Sequence, residues 1–433
     1  MDSLSQDRPA AHSRRGVTYI IVLGATLIVA CLGMGGLLAV RAQTRNVDSH
    51  SRIAAARMYA LSAVELGIQE VASNANWRTT HKNDVNGIVY ANKPIGNGTY
   101  TLKMVNPNGA LDRFPTDSVV LTGTGSVSNG IESQMVEATL VAQAKPFTCL
   151  QTSLTTNGLI NFGTSTVEAR NSTICSNAAI TSILATGPVY AKLEGVGLVT
   201  SLQNYDGVPA SGVVARTMPN PATVFSYFVA NGTAISVSAI PAAGPNREIT
   251  KLVLSPAINP FGTGVTNPQG IYVIDCGGQV IKIKKCRVVG TLVLINPGAG
   301  SSIENEVNFE AAVSNFPSLM VQGNLIFKPA PGLLDEKDGN FNPIGTPFPW
   351  SSGSADSDVS DVYVNQVGGL IYISGNCSIT AATTMGMLMV GGTFDSSNSL
   401  TLTYSSTFFS NPPPGFYDLK MVPSPGTWRQ TTN

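Results

Sequence analysis

Histidine is nearly absent from this chain: three in 433 residues, His12, His50 and His81, all within its first fifth. Ser-His-Asp and Cys-His chemistry needs an imidazole placed as base. Only His81 is a candidate, and its polar surroundings, Arg78-Thr79-Thr80-His81-Lys82-Asn83, read as a solvated loop. Charge is also scarce, at 12 %, and balanced, with 26 basic and 26 acidic side chains. No basic footprint points to nucleic acid, while the ordinary apolar content argues against disorder. Neither a phosphate-binding G-x-x-x-x-G-K-[ST] loop nor a G-x-S-x-G nucleophile elbow occurs. The chain therefore reads as a non-enzyme with no catalytic residues, no cofactor and no assigned metal.

Six cysteines form no C-x-x-C pair and no zinc spacing. Cys31 lies in an apolar run, which leaves Cys149, Cys175, Cys276, Cys286 and Cys377, an odd number. Cys276 and Cys286 are the nearest pair, and their spacing approximates one short-strand repeat. In an exported domain that spacing predicts a Cys276–Cys286 disulfide, with buried free thiols as the alternative.

Two acidic stretches carry the remaining chemistry. Asp335-Glu336-Lys337-Asp338-Gly339-Asn340-Phe341-Asn342 sets oxygen donors around a glycine but departs from the calcium-loop spacing and lacks the closing glutamate. Asp356, Asp358 and Asp361 form a second cluster. Both read as solvated loop charge. A glycosidase would need two carboxylates facing one groove, which keeps an anchored carbohydrate-active enzyme as a further alternative.

What the chain does have is an apolar run, Val17 to Val40, directly behind Ser13-Arg14-Arg15-Gly16. It exceeds the roughly 20 residues that cross a bilayer as a helix. No small-residue signal cleavage site closes the run. Ile53, Met58, Leu61, Val64, Leu66, Ile68 and Val71 then continue at helical spacing without proline. A helix from Val17 to Ser73 would extend about 85 Å at 1.5 Å per residue, half in lipid and half projecting. Arg8, Arg14 and Arg15 before the span are nearly matched by Arg41 and Arg45 after it, so the charge bias sets orientation only slightly.

Arg15-Gly16-Val17 at the start of this run, and Ala60-Leu61-Ser62-Ala63-Val64-Glu65-Leu66-Gly67-Ile68-Gln69-Glu70-Val71 after it, resemble the N-terminal domain of PilX-type type IV minor pilins. The resemblance covers about the first sixth of the chain. It implies leader cleavage between Gly16 and Val17 and an assembly contact at Glu65. Major pilins carry glutamate at the fifth mature position, where this chain has Ile21; that departure resembles atypical minor pilins and tip-type pseudopilins.

After the helix, Gly98–Val105, Ser118–Gly125 and Gln134–Val141 predict a small antiparallel sheet that buries the stripe containing Leu61, Val64 and Ile68. From Leu150 on, short strands such as Ile271–Ile274, Thr291–Ile295 and Met387–Val390 recur every 8–12 residues or so between Gly and Asn. That spacing predicts a β-solenoid (β-helix), with a β-sandwich as the alternative. The expected fold is mainly β with a long N-terminal α-helix. The expected divisions are a cytoplasmic leader at 1–16, a transmembrane and stalk helix at 17–76 and a small antiparallel β domain at 77–145. A solenoid-like domain follows at 146–410, with excursions at 205–267 and 329–361, and then a tail at 411–433 whose prolines stop the β pattern. The Gly-rich rungs and the tail also resemble the solenoid-like domain often joined to PilX-type starts.

The implied function is a membrane-anchored, pilin-like structural subunit of a type IV pilus or related secretion machine. Its expected location is the bacterial inner membrane, single-pass, with the β domain outside the cytoplasm. Its expected partners are other pilin or pseudopilin subunits and membrane lipid along Val17–Val40, and no nucleic acid. A surface adhesin, holding a surface or glycan ligand on the solenoid side or the 329–361 loop, is the alternative reading.

Overall fold

The computed structural model describes residues 14–114, 116–127, 132–181, 187–200, 206–343 and 357–431. The chain divides into two compact units: residues 144–418, and residues 1–143 together with 419–433.

The first unit begins with one continuous helix, α1 (Arg14–Ser73). Four antiparallel strands follow: β1 (Ile88–Ile95), β2 (Gly98–Val105), β3 (Val119–Val127) and β4 (Glu132–Pro146). The inward residues of β3 are Val119, Leu121, Gly123, Gly125 and Val127. Against them α1 turns Ala56, Ala60, Ala63, Val64 and Gly67, positions that share one helix face. The buried stripe is thus made of small residues. Val64 is on it as expected, whereas Leu61 and Ile68 sit at its half-buried margin. A β-carbon on Gly123 would overlap the carbonyl oxygen of Ala60, and one on Gly125 that of Ala56. The missing side chains let the helix rest on the sheet backbone. The expected division of the helix at 17–76 from the sheet at 77–145 therefore parts the sheet from its own core.

The C-terminal tail is a correction to the expected divisions. Residues Tyr417–Pro423 and Arg429–Thr431 are strands that join β4, with Arg429, Gln430 and Thr431 opposite Glu137, Val136 and Met135. Arg429 also pairs with Glu137 through Nε at 2.8 Å and Nη2 at 2.6 Å. Prolines 412–414 end the solenoid but not the β structure.

The second unit is a parallel β-solenoid, not a sandwich. Each strand pairs with the strands one coil before and after it, so equivalent residues stack. On one side Tyr272, Leu292, Leu319, Ile371, Leu388, Leu154, Ile174 and Leu193 form a single inward ladder. The order in that ladder differs from chain order. Strands Leu154–Thr156, Val167–Ser176 and Val189–Gly195 stack beyond the last coil, Leu388 against Leu154, while Asn246–Leu254 and Ile271–Asp275 stand at the opposite end of the stack. A second side stacks Ile283, Ile303, Phe327 and Ile379, and a third stacks Val288, Phe309, Val367 and Met385.

The first side is covered outside as well as inside. Phe147, Leu150, Phe225, Phe228, Phe408 and Phe416 bury Ile271, Val293, Met320, Tyr372 and Met389. Burial on both faces explains why Ile271–Ile274 and Met387–Val390 are unbroken apolar runs instead of alternating ones. Within 205–267, a helix at Ser226–Asn231 supplies Phe228, but Asn246–Leu254 is a solenoid strand, so the excursion is interrupted.

Cys276 and Cys286 are both buried free thiols, as are Cys149, Cys175 and Cys377. Ile295 stacks on Asp275, next to Cys276, whereas Cys286 stacks between Leu252 and Val307. The two cysteines belong to one coil and lie either side of its second flank. Their spacing is a fraction of a coil, and the premise of neighbouring strands fails.

Candidate functional site

Among the described residues, the most apolar part of α1 packs against nothing else in the chain. Val17 is 57 % exposed, Leu27 66 % and Leu37 72 %. Among the described residues it is the one helix long and apolar enough to cross a membrane. Gly16 and Val17 lie within its first turn, and among the described residues nothing approaches Gly16.

Glu65 is exposed and lies away from the sheet. It shares an open groove on the free flank of α1 with Met58, Leu61, Ser62, Leu66, Ile68, Gln69 and Ala72. Its neighbours Val64 and Ala63 face β3; Glu65 does not. The alternatives for it were a solvated face, a neighbouring subunit or the β domain, and the last is excluded.

His81 is not solvated. Its side chain is only 13 % exposed, with Nδ1 2.8 Å from Asp84 Oδ2 and Nε2 3.2 Å from Glu70 Oε1. A hydrogen bond from Asn74, then the His81 contacts, hold the Glu70 carboxyl below its usual value. The arrangement ties the end of α1 to the turn at Asp84 and holds no nucleophile.

The acidic segments are spent on the fold. Glu336 is fully buried and accepts from Phe341 N at 2.7 Å and Tyr363 Oη at 3.1 Å. Asp338 pairs with Lys285 Nζ at 2.6 Å and Lys251 Nζ at 3.0 Å. Asp335 caps Lys337 N, Asp358 caps Ser360 N, and Asp361 accepts from Asn342 Nδ2. These oxygens diverge, and no metal-sized cluster occurs among the described residues. Asp356 lies outside them.

Arg287, which the sequence reading passed over, anchors this excursion. It is fully buried, donates from Nη1 to Phe341 O at 2.9 Å, and lies 4.6 Å from the centre of the Tyr363 ring. Glu310 stands 3.8 Å from Nη2, too far for a hydrogen bond. Burial pulls the guanidinium below its usual value and pushes the Glu310 carboxyl above its own, each opposed by the other's charge. Both shifts favour the neutral forms, so desolvation outweighs the pair's attraction.

Where the excursion leaves the coil, a cavity of about 200 Å³ opens. The loop Pro329–Gly332 forms one wall, and residues 382–384, 399 and 401 of the next coils form the other. Ile303, Val307, Phe327 and Val367 make its floor. Asn365 clamps the loop in place: Nδ2 donates to Ala330 O at 2.7 Å, and Oδ1 accepts from Val307 N at 3.0 Å. Among the described residues, no carboxylate, imidazole or other ionisable side chain lines it.

No known family profile matches the chain, and no curated protein does. Among solved structures, the competence-associated pilin ComZ from Thermus thermophilus is similar at 10 % identity and TM-score 0.33, covering 86 % of this chain and 97 % of ComZ. An ice-binding protein from the Antarctic ascomycete Antarctomyces psychrotrophicus is similar at 12 % identity and TM-score 0.24, covering 60 % of this chain and 96 % of its own. At TM-scores below 0.5 neither likeness establishes a shared fold.

Proposed function

We propose that this protein is a membrane-anchored, pilin-like subunit of a type IV pilus or related secretion assembly. Its β-rich part is displayed outside the cytoplasmic membrane, and it is not an enzyme. The observation that carries the reading is the division of α1. Its N-terminal half has no partner among the described residues, while its C-terminal half is seated on β3 by Ala56, Ala60 and Ala63. A helix that is apolar all round and unpacked needs lipid or other helices. In this reading Val17–Val40 meets lipid and neighbouring pilin-like subunits, and the Glu65 flank meets a neighbour. Affinity purification from detergent extracts of the native host tests it. The reading expects filament or secretion-machine subunits to copurify; recovery of the protein in the soluble fraction, without such partners, would overturn it.

A further inference from the structure

The cavity beside Pro329–Gly332 has the chemistry of a ligand site. It is preformed, because two prolines restrict the backbone of Pro329-Ala330-Pro331 and Asn365 bonds the loop to the coil beneath. Its polar groups are unspent: among the described residues, the side chains of Gln366, Thr384, Ser399 and Thr401 have no hydrogen-bond partner, although all four line the cavity. Gln366 stacks on Asn308, and Thr384 on Thr401, so the ladder of the solenoid sets their spacing.

Three properties define the ligand. The described lining carries no charge, so a phosphate, carboxylate or ammonium would lose its hydration without gaining a counter-ion. A purely apolar ligand would cover the Gln366 amide and the threonine hydroxyls and leave them unpaired. The cavity, of about 200 Å³, suits a small ligand of about one ring. We infer that this cavity binds a single neutral sugar residue, such as the end or a side branch of a glycan. Gln366, Thr384 and Thr401 bond its hydroxyls, and Pro331 and Ala382 meet its C–H face. Among the described residues no aromatic platform lines the outer walls, and the affinity for a single residue is weak, on the order of 1 mM.

The site is tested on the full chain in a detergent without a sugar headgroup, by saturation-transfer NMR with free glucose, galactose, mannose and N-acetylglucosamine, and with glucuronate and glucosamine as charged counterparts. At least one neutral sugar should bind saturably, at least about tenfold more tightly than its charged counterparts, a gap of about 1.4 kcal/mol. Ala382→Trp, which fills the cavity, should abolish binding. Thr384→Val, which keeps its volume, should weaken it about tenfold. The inference is overturned if no neutral sugar saturates, if charged sugars bind equally, or if both variants bind as the parent does. The measurement reads single molecules, so its outcome is independent of whether the protein enters a filament.

Discussion

The α-carbon of Gly125 lies directly beneath the main-chain carbonyl of Ala56, so close that a β-carbon there would overlap its oxygen. The same relation holds between Gly123 and Ala60. Gly125→Val must lift α1 from β3 or distort the strand. Overpacking costs 1–3 kcal/mol even where side chains can yield, and backbone yields less. We expect a loss of about 3 kcal/mol or more in the first unit, read as a lower unfolding midpoint. Thr124→Val, on the opposite face of the same strand, should change stability by less than about 1 kcal/mol.

The cysteines should be free and unreactive. Burial pushes the Cys276, Cys286 and Cys149 thiols up to about 12, and the thiolate is the reactive form. A water-soluble maleimide should leave Cys149, Cys175, Cys276, Cys286 and Cys377 unmodified in the native protein and label all five after denaturation. A non-reduced digest containing a Cys276–Cys286 cross-link would contradict the stacking described above.

Two glutamates should respond to pH with opposite signs. Burial raises the Glu194 carboxyl, but hydrogen bonds from Lys192 and Arg216 outweigh it, leaving the folded value below the usual one. Its contribution is present above the unfolded value, about 4.3, and is lost as pH falls through the folded one. Glu310 is raised by burial, against the pull of Arg287. Its contribution is full below the unfolded value and is lost as pH rises through the folded one. Thermal melts from pH 3 to 8 should show Glu194→Gln flattening the acid side of the stability profile. Glu310→Gln should instead remove a loss on the neutral side. The same sign for both variants would refute the assignment.

Much of the architecture is legible in the sequence. The apolar run at Val17–Val40 predicts α1, and Ile271–Ile274 with its successors predicts solenoid strands. What cannot be read is which strand stacks on which. Leu154, Leu319 and Leu388 sit in equivalent apolar runs, and nothing local tells Leu388 to stack on Leu154 in preference to a later residue. The helix-to-sheet contact is hidden for a different reason. Hydrophobic periodicity weights Leu61 and Ile68, whereas close approach selects Ala56, Ala60 and Gly125, which score weakly on any such scale. The 329–361 loop is legible as a ligand-holding segment, but the cavity's polar lining is not, because Gln366, Thr384, Ser399 and Thr401 come from three coils that only the stacking brings together. His81 looked solvated because its partners Glu70 and Asp84 belong to neighbouring turns.

Glu65 separates assembly from folding. It is exposed on the free flank of α1 and belongs to no contact in the first unit. Glu65→Gln should leave the unfolding midpoint within about 0.5 kcal/mol of the parent while lowering the yield of protein recovered with partner subunits. Unchanged recovery would return Glu65 to an ordinary solvated helix face.

The mature N-terminus tests the central claim most directly. A prepilin-type cut between Gly16 and Val17 removes the basic leader and keeps the apolar helix, unlike signal cleavage, which removes the helix. Terminal sequencing of protein extracted from membranes should begin at Val17. A chain beginning at Met1 or Asp2, or beyond Val40, would contradict the pilin-like account.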